Sequence, residues 1–270
     1  MVNILISGYY GFDNIGDESI LRTLVTSLRE HIPDCSLTVL SHDPAATREK
    51  YGVEAVERMS PLAILRAVKK CDMLISGGGS LLQDVTSSKS LHYYLAIIRC
   101  AQFFGKKVFI YSQGIGPIDR PGNRRAAARA LKKTDGIVVR DERSAALLEE
   151  IGIARGKVVI TADPVIRMKK PDGDVGADIL HKAGVTLNGR LTVGWAIREK
   201  DRDGRFVAEI LKSIRWLKDT YNAQSVLIPF HYEEDGEVCR HIASQLPDDT
   251  AVCLNEKYLS EDMLSIIGNM

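Results

Sequence analysis

Short apolar runs alternate with longer amphipathic stretches over the first 168 residues of the chain. The apolar runs, rich in Val, Ile and Leu, predict strands at 3–7, 37–41, 72–76, 107–112, 136–139 and 157–160. The stretches between them predict helices near 16–31, 44–51, 61–70, 90–104, 121–133 and 142–151. Continuous apolar strands separated by helices are typical of a parallel sheet covered on both faces. We therefore predict an α/β fold with a Rossmann-like N-terminal domain at 1–168.

The alternation is interrupted at 169–190, which is rich in Gly, Asp and Lys and contains Pro171. This composition is typical of a linker or domain boundary. The alternation then resumes, with strands predicted at 191–197, 225–229 and 250–253 and helices at 203–219, 234–245 and 260–268. Because this second set has three strands and ends on a helix, we expect 191–270 to be a partial, truncated C-terminal Rossmann-like domain. The alternative is a naturally small second domain.

Composition narrows the class of ligand. The 270 residues include 36 Lys and Arg against 35 Asp and Glu, a formal net charge of +1. This balance disfavours a nucleic-acid partner but is compatible with a small anionic substrate held by a few local groups. The five cysteines and six histidines show no metal-ligand spacing, so we predict no metal. The sequence has no signal-peptide pattern and no apolar run of about 20 residues. We therefore expect a cytoplasmic protein with at most peripheral contact with the inner face of the membrane.

Three glycine clusters follow predicted strands. The first cluster lies between Gly8 and Glu18 and includes the candidate ligand-binding residues Gly11, Asn14, Gly16 and Asp17. It matches neither GxGxxG nor the P-loop pattern, so it supports neither a classical dinucleotide site nor an NTPase. Asp17 also stands where a carboxylate favours a helix N-terminus, and capping is the alternative to a ligand-binding role.

The second cluster is Gly77-Gly78-Gly79, with Asp84 close behind, and the third is the run Gln113-Gly114-Ile115-Gly116-Pro117. Consecutive glycines permit close approach of the backbone to a ligand or a positive φ. Ligands of open α/β sheets bind at the carboxyl ends of the strands. The joint placement of the three clusters therefore predicts a crevice for a phosphate-bearing small molecule.

Two arginines hold equivalent positions after predicted strands. Arg140 follows 136–139 and Arg198 follows 191–197. A guanidinium suits a carboxylate or a phosphate because it donates a planar fork of N–H groups. We expect both to bind substrate; the alternative for Arg140 is a solvated ion pair with a neighbouring acid.

These motifs occur in a recognisable order, and the run Arg140-Asp141-Glu142-Arg143-Ser144 and the pair Asp163-Pro164 complete it. Together they resemble the polysaccharide pyruvyl transferase family over about residues 3–260. The resemblance is greatest to the bacterial members that modify N-acetylmannosamine in the secondary cell wall polymer that anchors S-layer proteins.

The resemblance implies a glycosyltransferase-B-like arrangement of two Rossmann-like domains. It implies phosphoenolpyruvate as the donor substrate, no further cofactor, and a sugar with two free hydroxyls, usually lipid-linked, as the acceptor. The implied product is a 4,6-ketal of pyruvate. The family also carries an Arg-x-His element, which does not follow residue 191 here. We expect that element, and the general acid, beyond Met270, which leaves the activity of this chain on its own in question.

Ketal formation needs a group that binds the anionic donor and a base for the attacking hydroxyl. We assign these catalytic roles to Arg140 and Asp84 respectively, as expectations. Two other readings remain open: a nucleotide-sugar glycosyltransferase of the same architecture and a non-catalytic binding protein of this fold.

Overall fold

The computed structural model describes residues 1–85, 87–171, 173–198, 204–247 and 249–270. The chain forms two compact units. The first contains Met1–Phe12 and Asp17–Met168, and the second contains Asp13–Gly16 and Lys169–Met270. The first residue of the helix expected at 203–219 lies outside the described residues.

The first unit is built on an eight-stranded sheet whose pairings are all parallel. Its strands are β1 (Val2–Tyr10), β2 (Cys35–Ser41), β3 (Glu54–Glu57), β4 (Met73–Ser76), β5 (Gly79–Leu82), β6 (Lys107–Ile115), β7 (Gly136–Val139) and β8 (Val158–Ile160). The order across the sheet is β3-β2-β1-β4-β6-β7-β8, and β5 pairs with β6.

Six helices connect these strands. They are α1 (Ile15–His31), α2 (Pro44–Tyr51), α3 (Pro61–Lys70), α4 (Ser88–Phe103), α5 (Pro121–Leu131) and α6 (Glu142–Glu150). The local sequence explains where several helices begin. Proline is the first residue of α2, α3 and α5, and at this position its missing N–H removes no hydrogen bond of the helix. The α/β prediction with a parallel sheet is therefore confirmed.

The sheet is covered on both faces by apolar clusters, as its continuous apolar strands predict. Alternate residues of β1 face opposite sides: Leu5 lies in one cluster, and Ile4 and Ile6 lie in the other. Two strands were not predicted, β3 and β5. β3 is a short edge strand with glutamate at both ends, and β5 begins at Gly79, inside a run of glycines that reads as a turn.

A buried cation lies at one end of the first sheet. Arg58 follows β3 and is 7% exposed. Its guanidinium carbon lies 4.9–5.8 Å from the ring centroids of Tyr9, Phe12, Tyr93 and Tyr94. The Arg58 side chain donates to the Tyr94 hydroxyl at 3.2 Å. Cation–π contacts on several rings replace part of the lost hydration, which makes burial without a carboxylate tolerable.

The second unit has a three-stranded parallel sheet in the order β11-β10-β9. The strands are β9 (Thr192–Ala196), β10 (Gln224–Ile228) and β11 (Ala251–Cys253), and the helices are α7 (Val175–Lys182), α8 (Gly204–Tyr221), α9 (Tyr232–Ala243) and α10 (Ser260–Ile267). Among the described residues, no helix combines the length and apolar character needed to cross a bilayer.

The region expected as an irregular boundary contains helix α7, which packs against α10. Its glycine is needed for that packing: a Cβ on Gly176 would overlap the backbone of Ser265, and the Gly176 N–H donates to Ser265 Oγ at 2.9 Å. Leu180 of the same helix is fully buried. In the sequence Gly176 is typical of a loop, whereas in the structure it is the residue at which α7 packs against α10. Asp172 of the boundary region lies outside the described residues.

Candidate functional site

The strand order of the first unit creates a switch point between β1 and β4. From β1 the chain runs outward through β2 and β3, and it then returns to the other side of β1 as β4. Connections leave the carboxyl ends of these two central strands in opposite directions, which opens a crevice where ligands of such sheets bind. The glycine clusters after β1 and β4 flank this switch point.

Tyr10, at the end of β1, lies beneath the glycine clusters. A Cβ on either Gly8 or Gly77 would overlap the Tyr10 side chain. Tyr10 is fully buried, and its hydroxyl has no hydrogen-bond partner within the described part of the chain. Burial, with a further contribution from Asp17, raises the pKa of Tyr10 well above its ordinary value. The hydroxyl therefore stays protonated and is available as a donor under the turn.

Different steric contacts explain why the other two residues of the triple are glycine. A Cβ on Gly78 would lie 2.8 Å from Ile20 Cγ2, so this glycine permits close packing on α1. Gly79 has a φ of +85°, and a Cβ there would lie 2.9 Å from Asp17 Oδ1. Steric requirements thus account for all three glycines, and they bring a half-exposed carboxylate, Asp17, against the turn.

Gln113 positions the triple glycine from below. It is fully buried in β6, and its side-chain amide donates to Ser76 Oγ at 2.8 Å and to the Gly77 carbonyl at 2.6 Å. Its Oε1 has no partner among the described residues. Sequence reasoning placed Gln113 in a substrate-binding turn after a strand. The structure instead places it inside β6, where it orients the backbone of Gly77.

Arg140 forms the cationic side of the site. Its Nη1 lies 2.9 Å from Asp163 Oδ2, its Nη2 donates to Ser80 Oγ at 3.0 Å, and its Nε lies 3.7 Å from Asp141 Oδ2. A Cβ on Gly114 would lie 2.9 Å from Nε and Nη2 of Arg140, so only glycine leaves room for this guanidinium. The Arg140 side chain remains 31% exposed. Its remaining N–H groups are thus accessible to an anion.

The residues after Arg140 fix its backbone. Asp141 caps α6 by accepting from the Ser144 N–H at 2.7 Å, and it also accepts from the Ser144 hydroxyl. The Ser144 hydroxyl oxygen accepts from the Ile115 N–H at 2.8 Å, which ties α6 to β6. Although burial raises the pKa of Asp141, the hydrogen bonds from Ser144 lower it below its ordinary value. The hydrogen bonds of Asp141 and Ser144 therefore help to hold Arg140 in position.

Asp84 does not have the geometry expected of the base. It is 7% exposed, and it accepts from the N–H groups of Asp119 and Arg120 and from the side-chain amide of Asn123, at 2.7–3.1 Å. Burial raises its pKa, but these three donors lower it below the ordinary value. A buried carboxylate saturated with donors is a poor proton acceptor. Asp84 instead holds the start of α5.

Two other glycines predicted to bind substrate are explained by the local structure instead. Gly11 has a φ of +79°, and its N–H donates to Glu18 Oε1 at 2.8 Å, so this N–H already has an acceptor. Gly116 has a φ of +90°, and its N–H donates to the Leu82 carbonyl at 2.8 Å. Neither N–H is directed at a ligand.

The remaining predicted residues belong to the second unit. Asn14 forms an isolated antiparallel bridge with His231, and Gly16 is exposed in the first turn of α1. Arg198 is exposed two residues after β9. These three residues are therefore described with the second unit, and the Arg140 cluster with the first.

Sequence reasoning did not select Ser80, Asp163 or Tyr10 as site residues. Ser80 immediately follows the triple glycine, and Asp163 follows the last strand of the unit, so position was an available signal for both. Tyr10 had no such signal because its pattern is that of a core residue. In the described parts of the chain, no three His, Cys, Asp or Glu side chains group as a metal site would require.

The site therefore brings opposite charges to two consecutive residues, Gly79 and Ser80. The Asp17 carboxylate faces Gly79, and the Arg140 guanidinium holds the neighbouring Ser80. A guanidinium is suited to an anionic group, and a carboxylate to the proton of a hydroxyl. Such a pair can bind an anionic donor and a hydroxylated acceptor side by side.

Comparison with known proteins identifies the family. Residues 14–270 match the family described as polysaccharide pyruvyl transferase. The chain is also 21% identical over 222 residues to the amylovoran biosynthesis protein AmsJ of Erwinia amylovora. That alignment covers 67% of this chain and 52% of AmsJ, so the chain spans about half the length of this relative.

Solved structures of similar fold are glycosyltransferase-B-like epimerases and glycosyltransferases. A putative UDP-N-acetylglucosamine 2-epimerase from Listeria monocytogenes is 9% identical, with a TM-score of 0.64 over 98% of this chain and 72% of that one. HepE from Anabaena, in complex with UDP and glucose, is 11% identical, with a TM-score of 0.61 over 100% and 72%. The ADP-heptose lipopolysaccharide heptosyltransferase II of E. coli is 12% identical, with a TM-score of 0.50 over 100% and 77%.

These likenesses establish a glycosyltransferase-B-like α/β fold, and the family match agrees with the resemblance inferred from the glycine and arginine motifs. Because the match covers nearly all of the chain, this protein belongs to the polysaccharide pyruvyl transferase family.

Proposed function

We propose that the protein transfers the enolpyruvyl carbons of phosphoenolpyruvate to two hydroxyls of one sugar, forming a 4,6-ketal. The observation that carries this proposal is the placement of the Asp17 carboxylate beside Gly79 and of the Arg140 guanidinium on the next residue, Ser80. Family membership supports a transferase acting on a polysaccharide. The donor and the ketal are taken from the resemblance of the motifs to this family, and the two side chains have the chemistry that such a donor and acceptor require.

Arg140 is assigned to the donor. Phosphoenolpyruvate carries a carboxylate and a phosphate, and both are bound well by a guanidinium fork. Asp163 and Ser80 hold Nη1 and Nη2 in place, so the guanidinium is oriented before the donor binds. The side chain is 31% exposed, which leaves the donor a route to it.

Asp17 is assigned to the acceptor in place of Asp84. It is half-exposed beside Gly79, whereas Asp84 is buried and saturated with donors. A base must reach the proton that it removes, and Asp17 satisfies this requirement at the crevice. The negative charge of Asp17 also repels the anionic donor, which is therefore directed towards Arg140.

The reaction balances without an oxidant or a reductant. A general acid donates a proton to C3 of the donor, and the cationic centre left at C2 is attacked by one hydroxyl, which loses its proton to Asp17. The C2–O bond to phosphate then breaks with its electron pair on the phosphate, and the second hydroxyl attacks C2, closes the ring and gives its proton to the departing phosphate. The proton held by Asp17 returns through solvent to the general acid, so that over one turnover one hydroxyl proton is balanced on C3 and the other on phosphate.

The acceptor that we propose is N-acetylmannosamine in a lipid-linked cell wall glycan precursor, of the kind used to anchor S-layer proteins. Such an acceptor places the reaction at the cytoplasmic face of the membrane. The motifs from Gly77 to Ser144 support this choice through their resemblance to the members that modify this sugar.

The test is to incubate the protein with carbon-labelled phosphoenolpyruvate and a lipid-linked disaccharide that ends in N-acetylmannosamine. We expect acid-labile label in the glycan and an equal amount of released phosphate. Asp17→Asn should abolish transfer while donor binding is retained. Release of UDP from a UDP-sugar with no use of phosphoenolpyruvate would instead identify a nucleotide-sugar glycosyltransferase. Donor binding without phosphate release in the presence of acceptor would identify a binding protein.

A further inference from the structure

The outer face of helix α5 carries a dense group of cations. The residues 120–134 contain no Asp or Glu. The exposed cations of this stretch are Arg120, Arg125, Arg129, Lys132 and Lys133. Since the whole chain has a formal net charge of only +1, this is a local concentration of positive charge.

A groove between α5 and the end of α6 runs through this group. It has a volume of about 400 Å³, and its lining includes Arg124, Arg125, Arg129 and Lys132. One acid, Glu150, also lines it, and that carboxylate lies 3.3 Å from Arg124 Nη1. Within the part of the chain that the structure describes, Arg125, Arg129 and Lys132 form no ion pair.

Cations of the second unit are arranged differently. On α8, Lys212 lies 2.6 Å from Glu209, and Lys218 lies 2.7 Å from Asp249. Like charges one helical turn apart repel each other unless a counter-anion is bound. The uncompensated cations of α5 therefore favour binding of an external anion, whereas those of α8 do not require one.

An exposed aromatic side chain lies at the end of the helix that packs against α5. Phe103, the last residue of α4, is 83% exposed. This end of α4 contacts α5, since the Gln102 side-chain amide donates to the Ala130 carbonyl at 2.8 Å. Lys106 and Lys107 follow in the chain. An exposed aromatic ring flanked by lysine and arginine is the combination found where proteins meet the headgroup region of a bilayer.

We propose that the α5 face, defined as Phe103 with Arg125, Arg129 and Lys132, docks on a membrane surface rich in anionic phospholipid. Phosphate headgroups complement the groove, and Phe103 enters the boundary with the acyl chains. A long soluble polyanion is disfavoured because the chain as a whole is nearly neutral. A planar membrane, by contrast, contacts the protein through this one face only. The inference goes beyond the proposed transfer reaction, since it concerns charge on α5 and does not depend on the donor or the acceptor.

The test is flotation of the protein with vesicles of phosphatidylcholine, with and without phosphatidylglycerol. We expect binding only to the phosphatidylglycerol vesicles and release at high salt. The triple variant Arg125→Gln, Arg129→Gln, Lys132→Gln should lower the partition coefficient by roughly 100-fold. The matched control Lys212→Gln, Arg215→Gln, Lys218→Gln removes the same charge from α8 and should bind as the wild type does. Phe103→Ser should weaken binding by a smaller factor.

Equal binding to neutral vesicles, or an equal loss in both triple variants, would overturn the proposal. So would binding to a soluble oligonucleotide without binding to phosphatidylglycerol vesicles. Thermal melting of each variant excludes loss of folding as the cause. The two proposals fail separately: Arg140→Ala should transfer more slowly yet still float with vesicles, and the α5 triple variant should still modify a soluble acceptor.

Discussion

The side chain of Arg140 is oriented by the protein before any ligand binds. Asp163 and Ser80 hold two of its nitrogens, and Gly114 leaves the space that it occupies. Preorganised donors stabilise a bound anion more than mobile ones because less rotamer freedom is lost on binding. The role of this arginine therefore depends on its neighbours as much as on its charge.

Replacing Arg140 with alanine should raise the KM for phosphoenolpyruvate and lower kcat/KM. Loss of hydrogen bonds to a charged group costs about 1.5–3 kcal/mol, which corresponds to roughly 10- to 150-fold in kcat/KM. Arg140→Lys keeps the charge but not the fork, so it should recover only part of the loss. Steady-state kinetics with varied donor measure this effect, and unchanged donor kinetics in the alanine variant would remove Arg140 from the site.

Replacing Gly114 with alanine should lower donor use without unfolding the protein. The added Cβ would lie 2.9 Å from Arg140 Nε and Nη2 and from Ser80 Oγ, so these side chains must move. We expect a loss in kcat/KM of at least about tenfold. Gly122→Ala is the matched control, because a Cβ there meets no atom within 4 Å. If both variants have wild-type kinetics, the close approach of Gly114 to Arg140 has no functional role.

At the scale of elements, carboxylates at helix starts connect distant parts of the first unit. Asp141 begins α6, and its partner Ser144 ties that helix to β6. Asp84 does the same for α5, although it lies 35 residues before Asp119. The Asp141 bond satisfies a first-turn N–H of α6 that has no partner within the helix, whereas Asp84 binds the N–H groups of the two residues that precede α5.

Replacing Asp84 with asparagine should lower the free energy of unfolding by about 1–3 kcal/mol at neutral pH, because an amide leaves buried donors without acceptors. The folded-state pKa of Asp84 is below its ordinary value of 3.8, so its contribution is present above that value. It is lost as the pH falls through the folded-state pKa. The difference between wild type and variant should thus narrow below about pH 4.

Denaturant unfolding across this pH range measures the effect. Asp43→Asn is a control, since Asp43 is an exposed cap whose carboxylate, among the described residues, accepts from the Ala46 N–H only. Transfer activity per folded molecule should survive in Asp84→Asn. A loss of kcat with unchanged stability would restore Asp84 as the base.

At the scale of the whole molecule, each unit has its own sheet and its own buried clusters. In the second unit, one cluster joins α7 and α10 to β10 through Leu180, Ile266 and Val226. Gly176 sets the distance between the two helices. Local stability in that unit therefore depends on a residue from the region that reads as a linker.

Replacing Gly176 with alanine should destabilise the second unit by about 1–3 kcal/mol, because α7 and α10 must separate to admit the Cβ. Hydrogen exchange followed by mass spectrometry should show faster exchange in α7, α10 and β10, with β1 and β6 unchanged. Gly204→Ala is the control in the same unit, since a Cβ there meets no atom within 4 Å. Equal exchange in both variants would contradict a packing role for Gly176.

Much of the element list was predictable, since the period of apolar residues is a local property. Helices α2 and α3 and strand β7 have the predicted bounds, and most other ends differ by one to three residues. At least one of these differences has its cause in a distant segment. β6 continues through Gln113, whose polar side chain reads as the end of an apolar strand but is satisfied from β4.

The site was predictable in part. Arg140 and the triple glycine were selected because they follow strands, and the structure places them at the carboxyl edge of one sheet. Asp84 was assigned as the base because it closely follows the triple glycine. Its three donors come from residues 35–39 positions away, and no local pattern indicates them.

The sequence by itself determined the alternating strands and helices, the glycines at their ends and the family, because each of these is a pattern in neighbouring residues. Tertiary structure alone decided that β1 and β4 are adjacent and that Arg140 meets Ser80 from 60 positions away. It also decided that Asp17, and not Asp84, is the partly exposed carboxylate beside the triple glycine. Strand order and the filling of hydrogen bonds depend on contacts between distant segments, which only the folded chain brings together.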